Sequence, residues 1–420
     1  MRNTIFRCLG VAAVAFALQF TPANVQAAGL FNRTCSPCDE VCNPCDDTWN
    51  CAPCDPVCGP SLGKWFLNGH MEAGFMANAH GQKSVYEDGF VPTSGNTALL
   101  ANTPYTGAQI NQVYLSMGKK VDGRRGLDIG GTVDFTWGSD AWIVQAGGLE
   151  KDTKNAAVWR NGDYYSAFPQ AYVEAAYGRW NVIAGKFYAP FGSSQYKSTE
   201  NFFYTWAPTA VIAPHVGGGA YASYKASDRL TLVGGWVMPD EIGRSSENNA
   251  ILGGVIWTPS SKFNVRYTFA TGTNKYAGNI ADGAAIDSFV QTLLITQKLS
   301  KKLTFVVDWT LVNVNVDGGH AAAYGINNEF IYQASKNWAF GTRFGMLNAN
   351  EAYALGGEDM ALIGDWYNVS IGANWTPNKW LVVKPELRYD WTEKYADVRP
   401  FNGGTAPAQF SGGMSAVVKF

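Results

Sequence analysis

From residue 65 onward, hydrophobic and polar residues alternate one for one in segments of about ten to fourteen residues, the period of a strand with two unlike faces. The last segment is the clearest: Phe410, Met414, Ala416, Val418 and Phe420 share one face, and Gln409, Ser411, Ser415 and Lys419 the other. In KWLVVKPELRYDW, Leu381, Val383, Leu387, Tyr389 and Trp391 alternate with Lys384, Glu386, Arg388 and Asp390. Segments 127–137 and 303–311 repeat the scheme. Four charges of alternating sign on one strand face are costly in a dry core, so this face is expected to meet water. The pattern predicts about sixteen strands; segments 289–298 and 326–333 alternate poorly, which leaves a range of about fourteen to eighteen.

The connections alternate too. Short turns fall at VDGRRG, YGRWN, KASDR, TPSSK, LSKK, ASKNW and TPNKW, and between them lie longer joins at 79–107, 141–165, 190–216 and 393–408. Short periplasmic turns, long extracellular loops and an even strand count are the grammar of an all-β, transmembrane, antiparallel up-and-down barrel with both chain ends in the periplasm. Tryptophans fall into two belts. Trp65, Trp180, Trp257, Trp338, Trp375 and Trp380 lie beside the short turns, and Trp137, Trp236 and Trp391 towards the long loops, as expected where rings settle at the two membrane interfaces. A soluble β-sandwich array also alternates, but it rarely combines strands this long with so polar a second face.

Composition agrees with this reading. Charged residues make up 16% and aromatics 14%, and mean hydropathy is −0.12. No stretch after residue 29 approaches the roughly 20 apolar residues of a membrane helix. The formal net charge of −2 argues against a nucleic-acid partner. At the N-terminus, Arg2 and Arg7 precede an apolar run, 9–20, followed by Val25-Gln26-Ala27-Ala28, the layout of a secretory signal peptide. Three segments are expected: a signal peptide at 1–27, a periplasmic leader at 28–63 and the barrel at 64–420.

The terminal SAVVKF, with Phe420 on the apolar face, looks like the C-terminal assembly signal that the barrel-assembly machinery reads on outer-membrane proteins. The central stretch AYVEAAYGRWNVIAGKFYAPFGSSQYKSTENFFYT resembles the beta-barrel porin-2 (OmpL-like) family through its AGKF-x-x-PFG motif and the long loop that follows. The resemblance covers residues 65–420 and stops short of the leader. It implies a bacterial outer-membrane porin, embedded in lipid, with homotrimers as the associated assembly.

A barrel of about sixteen strands encloses an aqueous channel unless something fills it. Parity assigns Glu72, Asp128, Asp134, Glu174, Asp308, Glu329, Glu386 and Asp390 to the pore wall, with Lys120, Lys186, Arg266, Arg343, Lys384 and Arg388. Because rings of one sign set selectivity, this near-balance implies a weakly selective path for small hydrophilic solutes and ions. In general porins the third loop folds inward, and by that resemblance Tyr196, Lys197, Glu200 and Tyr204 in 190–216 are constriction candidates. An external lid or a trimer-contact loop is an equal alternative for this segment. Aromatic rings around the long loops leave room for a sugar-selective porin. An enzyme is disfavoured: His70, His80, His215 and His320 are the four histidines, and neither G-x-S-x-G nor H-E-x-x-H occurs. No cofactor or metal is expected.

The leader poses a separate question. Cys35, Cys38, Cys42, Cys45, Cys51, Cys54 and Cys58 are the only cysteines after Cys8, and they form three copies of Cys-x-Pro-Cys-Asp with Cys58 closing the series. Zinc would need thiolates and finds no histidine here, c-type haem needs Cys-x-x-Cys-His, and a redox site needs a fold that this Pro-rich segment cannot build. Disulfides suit an exported protein. The odd count favours a link to another chain or to a periplasmic layer, which makes a structural anchor the rival to a pore. Non-reducing electrophoresis is expected to show cross-linked species that reduction collapses. Migration as a monomer in both lanes rules out interchain linkage.

Overall fold

The computed structural model describes residues 64–80, 106–152, 157–242, 249–273, 287–316, 319–349, 364–393, 401–402 and 405–420. The expected signal peptide and cysteine leader, and with them all seven disulfide candidates, lie outside these residues. In chain order the strands are β1 (Trp65–Asn78), β2 (Gly107–Lys119), β3 (Asp128–Gly138), a two-residue β4 (Arg160–Asn161), β5 (Tyr164–Tyr177), β6 (Trp180–Tyr188), β7 (Val216–Ser227), β8 (Leu230–Pro239) and β9 (Asn249–Ser260). They continue with β10 (Phe263–Thr273), β11 (Asp287–Lys298), β12 (Leu303–Val316), β13 (Gly319–Gln333), β14 (Trp338–Ala349), β15 (Gly364–Asn378), β16 (Leu381–Thr392) and β17 (Ala408–Lys419).

Leaving aside β4, which only pairs with the start of β5, each strand lies antiparallel to its sequence neighbours, and β1 closes the ring against β17 from His70↔Lys419 to Asn78↔Ser411. The result is the sixteen-strand closed barrel that the alternation predicted. Closure is what allows these strands to sit in lipid, since it leaves no unpaired backbone edge. The poorly alternating segments 289–298 and 326–333 are part of β11 and β13, held in register by neighbours that alternate well.

Outward positions carry the apolar set. Val173, Ile251, Phe344, Ile371, Leu387 and Met414 are exposed, while the residues between them turn inward. The six tryptophans beside the short turns are all exposed, as is Trp236 at the other end. Trp137 stacks on Tyr164 at 4.9 Å and Trp391 on Tyr367 at 5.4 Å. One rim is closed by tight connections such as Gly178-Arg179, Asp228-Arg229, Ser261-Lys262 and Lys379-Trp380. The other carries the longer joins, except that residues 317–318 alone link β12 to β13.

The interior is not an open tube. Two apolar clusters fill the long-loop half: one joins Val237, Leu252, Val290, Val314, Leu347 and Trp366 of the wall to Phe191, Ile212 and Ala213, and the other joins Tyr114 and Ala167 to Ile143, Val144, Tyr196 and Trp206. These partners come from two segments folded into the barrel, 139–151 and 189–215, and Phe401, from the connection before β17, packs on Trp366 as well.

Closure at the terminus is tight. Gly69 and Phe420 exchange backbone hydrogen bonds at 2.9 and 3.0 Å, and a Cβ on Gly69 would collide with the Tyr114 carbonyl of β2 and lie 2.7 Å from the Phe420 ring. Gly69→Val is therefore expected to push β1 from β2, displace the terminal ring and lower the yield of closed barrel. Loss of the heat-dependent mobility shift on electrophoresis measures this, and an unchanged yield contradicts the packing described.

Candidate functional site

Segment 189–215 leaves β6, crosses the lumen and returns to β7. Its 3-10 turn Ser198–Glu200 rests near β17, and the turn Pro208–Val211 rests against β12, β13 and β14. The wall makes room for it at two glycines of β14 that flank Arg343. A Cβ on Gly341 would collide with the Phe202 ring, and one on Gly345 would lie 2.8 Å from Pro208.

The wall's charged groups bind this segment chiefly through its backbone. Arg343 donates to Thr205 O at 2.7 Å and to Thr205 Oγ1 at 2.6 Å; Arg388 donates to Trp206 O at 2.9 Å and to Thr205 Oγ1 at 3.1 Å. Glu386 accepts from Thr205 N at 2.8 Å and from its hydroxyl at 2.7 Å. One hydroxyl thus donates once and accepts twice, which is its full capacity. Arg343 pairs with Glu386 at 2.9 Å and Arg388 with Asp390 at 2.8 Å. Lys384 donates to the carbonyls of Ser198 and Asn201, and Gln112 grips Tyr196 O at 2.7 Å. On the opposite wall Asp308 accepts from Ser193 N and Oγ, each at 2.7 Å, and from Thr209 at 3.0 Å; Arg266 donates to Gly192 O at 2.7 Å.

This corrects one expectation. The face of Lys384, Glu386, Arg388 and Asp390 does not meet water: all four are no more than 3% exposed. They tolerate burial because each has an opposite charge, an oriented carbonyl or an amide against it, the condition under which buried ions persist. Glu72, Asp134, Lys186, Asp308 and Arg343 are buried as well. Glu72 accepts from Ser415 at 2.7 Å, and Asp134 accepts from Tyr114, Ser116 and Gln170. Partly exposed are Glu174, which accepts from Asn181 at 2.6 Å, Arg266, and Glu329, which lies 4.0 Å from Arg343. Lys120 and Asp128 belong to the short-turn rim, where Asp128 binds Lys64 and Lys119.

The four constriction candidates divide. Tyr196 and Tyr204 are buried, with hydroxyls bonded to Thr136 at 2.8 Å and Asn111 at 3.0 Å. Glu200 is exposed, and Lys197 is partly exposed, 3.7 Å from Asp134 and 5.2 Å from the Tyr114 ring. Segment 139–151 is a second insert that periodicity missed. Glu150 accepts from Lys186 at 2.8 Å and from the amides of Ala146 and Phe168 at 2.9 Å, and Lys186 also donates to Val144 O. Asp140, held by Asn111 at 2.9 Å and Gln112 at 3.1 Å, is pushed well above the usual carboxylate range, first by burial. His215 lies tilted against Trp206 at 5.0 Å, and burial lowers it to about 4, so it is neutral at pH 7. His70 bonds to Gln112 at 2.8 Å, His80 lies 3.2 Å from Ala408 O, and the side chain of His320 lies outside the described residues. Thr205, Gln112 and Glu150 had no sequence signal; the inward glycines beside Arg343 could have marked the docking wall.

Residues 66–420 match the family model described as "Putative beta-barrel porin-2, OmpL-like". Among solved structures, the anion-selective porin from Comamonas acidovorans is similar at 11% identity and TM-score 0.56, with 85% of this chain and 99% of that one covered. The outer membrane channel DcaP of Acinetobacter baumannii gives 12%, 0.55, 85% and 97%, and OmpT of Vibrio cholerae in its trimer form gives 11%, 0.51, 85% and 99%. At these identities the likeness speaks for the fold. A comparison with curated proteins finds no match.

Thr205→Val removes the shared hydroxyl at nearly constant volume. It is expected to cost about 2 kcal/mol or more, since hydrogen bonds to charged groups contribute about 1.5–3 kcal/mol each. A lower denaturation midpoint together with noisier single-channel current is the expected readout. Wild-type stability with quiet current would show that the junction does not hold the insert.

Proposed function

Since the chain belongs to the beta-barrel porin-2, OmpL-like family, we propose that this outer-membrane porin passes small hydrophilic solutes and ions through a lumen narrowed by segment 189–215. The observation that carries this reading is that the wall charges bind the insert's backbone, so the insert is a fixed part of the passage. The solute-facing set is then much smaller than the charge pattern of the strands suggests. On the insert it comprises Lys197, Thr199 and Glu200, and on the wall the partly exposed Glu174, Arg266 and Glu329. Lys197 and Arg266 stand against Glu174, Glu200 and Glu329, a near-balance from which weak selectivity with a slight cation preference follows.

Family and fold are those of a channel rather than of an outer-membrane hydrolase. Strand β1 begins at the short-turn rim and β17 ends there. With an exported leader at 28–63 behind a signal peptide at 1–27, that rim faces the periplasm, where the cysteines meet an oxidising environment. A homotrimer is the assembly we favour, supported by the trimer form of OmpT.

Reconstitution into planar bilayers in KCl is expected to give stepwise, nearly ohmic conductance, and Glu200→Gln to shift the reversal potential towards anions. If no channel opens at any voltage, the pore reading fails and the anchor reading takes its place.

A further inference from the structure

The formal net charge of −2 conceals a strong segregation. Among the described residues, the long β2–β3 turn brings Lys120, Arg124 and Arg125 to the short-turn rim, and the tightest turns add Arg179, Arg229, Lys262 and Lys379, all exposed. The connections after β11 and β13 add Lys301, Lys302 and Lys336, again exposed. Acids there are few: Asp122 pairs with Arg124 at 2.8 Å, Asp128 takes Lys64 and Lys119, and Asp228 sits beside Arg229. Among the described residues the opposite rim has the reverse bias, with Asp163, Asp287 and Glu393 exposed against Arg160.

The level of these bases points to their partner. Arg179 directly precedes Trp180 and Lys379 precedes Trp380. Thr258 N donates to Arg229 O at 2.8 Å, which sets Arg229 beside Trp257, and Thr376 N donates to Asn337 O at 2.8 Å, which sets the Lys336 turn beside Trp375. All four tryptophans are exposed on the outer surface, where such rings mark the headgroup layer. The cations therefore stand at the depth of lipid phosphates. A ring of lysines and arginines at an anionic leaflet attracts it within about one Debye length, roughly 8 Å at physiological salt.

We infer that the short-turn rim is a docking surface for anionic phospholipid headgroups, which gather around the barrel in the leaflet that meets it. This rests on the outer-membrane reading. The full chain and a Lys301→Gln, Lys302→Gln, Lys336→Gln, Lys379→Gln variant would be reconstituted into phosphatidylcholine vesicles containing a minor share of phosphatidylglycerol, and the lipid retained by each measured by mass spectrometry. The wild-type chain is expected to enrich phosphatidylglycerol severalfold. The quadruple variant should lose most of that enrichment, as should wild type in 1 M salt, where the Debye length is about 3 Å. An Asp163→Asn, Glu393→Gln variant of the opposite rim should keep it.

Absence of enrichment in the wild type, or full enrichment in the quadruple variant, overturns the inference while leaving the channel intact. Failure to float with pure phosphatidylcholine vesicles overturns the membrane reading and this inference with it. The leader carries Asp39, Glu40, Asp46, Asp47 and Asp55 against Arg33. If enrichment is absent in the full chain and arises only on deletion of residues 28–63, the acidic leader occupies the rim and the lipid inference fails.

Discussion

The hydroxyl and backbone of Thr205 stand between Arg343, Arg388 and Glu386, and most of the interior depends on that junction. Each of the three ions lies on the barrel wall with almost no water around it. Left alone, any one of them would cost several kcal/mol of desolvation. The insert resolves this by presenting an amide, a carbonyl and a hydroxyl within two residues. The dependence is mutual, because a stretch of irregular backbone inside a barrel also needs partners for its polar groups.

Around that junction the interior is divided by height. Towards the long-loop rim, segments 139–151 and 189–215 meet inward-facing Val, Leu, Ala and Trp side chains and form two apolar clusters within the barrel. Lower down, the contacts are ionic and directed at backbone. A loop fixed by both kinds of contact is held by shape as well as by charge. On the channel reading proposed above, solutes pass beside this fixed loop, and selectivity is left to the few charges that it does not cover.

The outer surface follows a separate logic. Apolar side chains meet lipid, tryptophans mark its two boundaries, and among the described residues basic ones crowd one rim while acidic ones favour the other. This charge asymmetry lies along the barrel axis, so it bears on how the barrel sits in the membrane and which leaflet each rim meets.

Strand count, closure and the outward faces were legible in the sequence because a period of two in hydrophobicity is imposed directly by lipid on one side of each strand. Even β11 and β13, weak in isolation, are carried by their neighbours' registers. The inward face was legible only as polar. Whether Lys384, Glu386, Arg388 and Asp390 meet water or protein depends on a segment nearly two hundred residues earlier in the chain, and alternation records a face without recording what covers it. The same holds for Glu150 and Lys186, one of them in a connection with no periodicity at all. The sequence by itself therefore determined a membrane barrel with a charged interior. Only the tertiary structure decided that those charges hold an insert in place, because pairing between a wall and a loop is set by where the closed barrel brings them together.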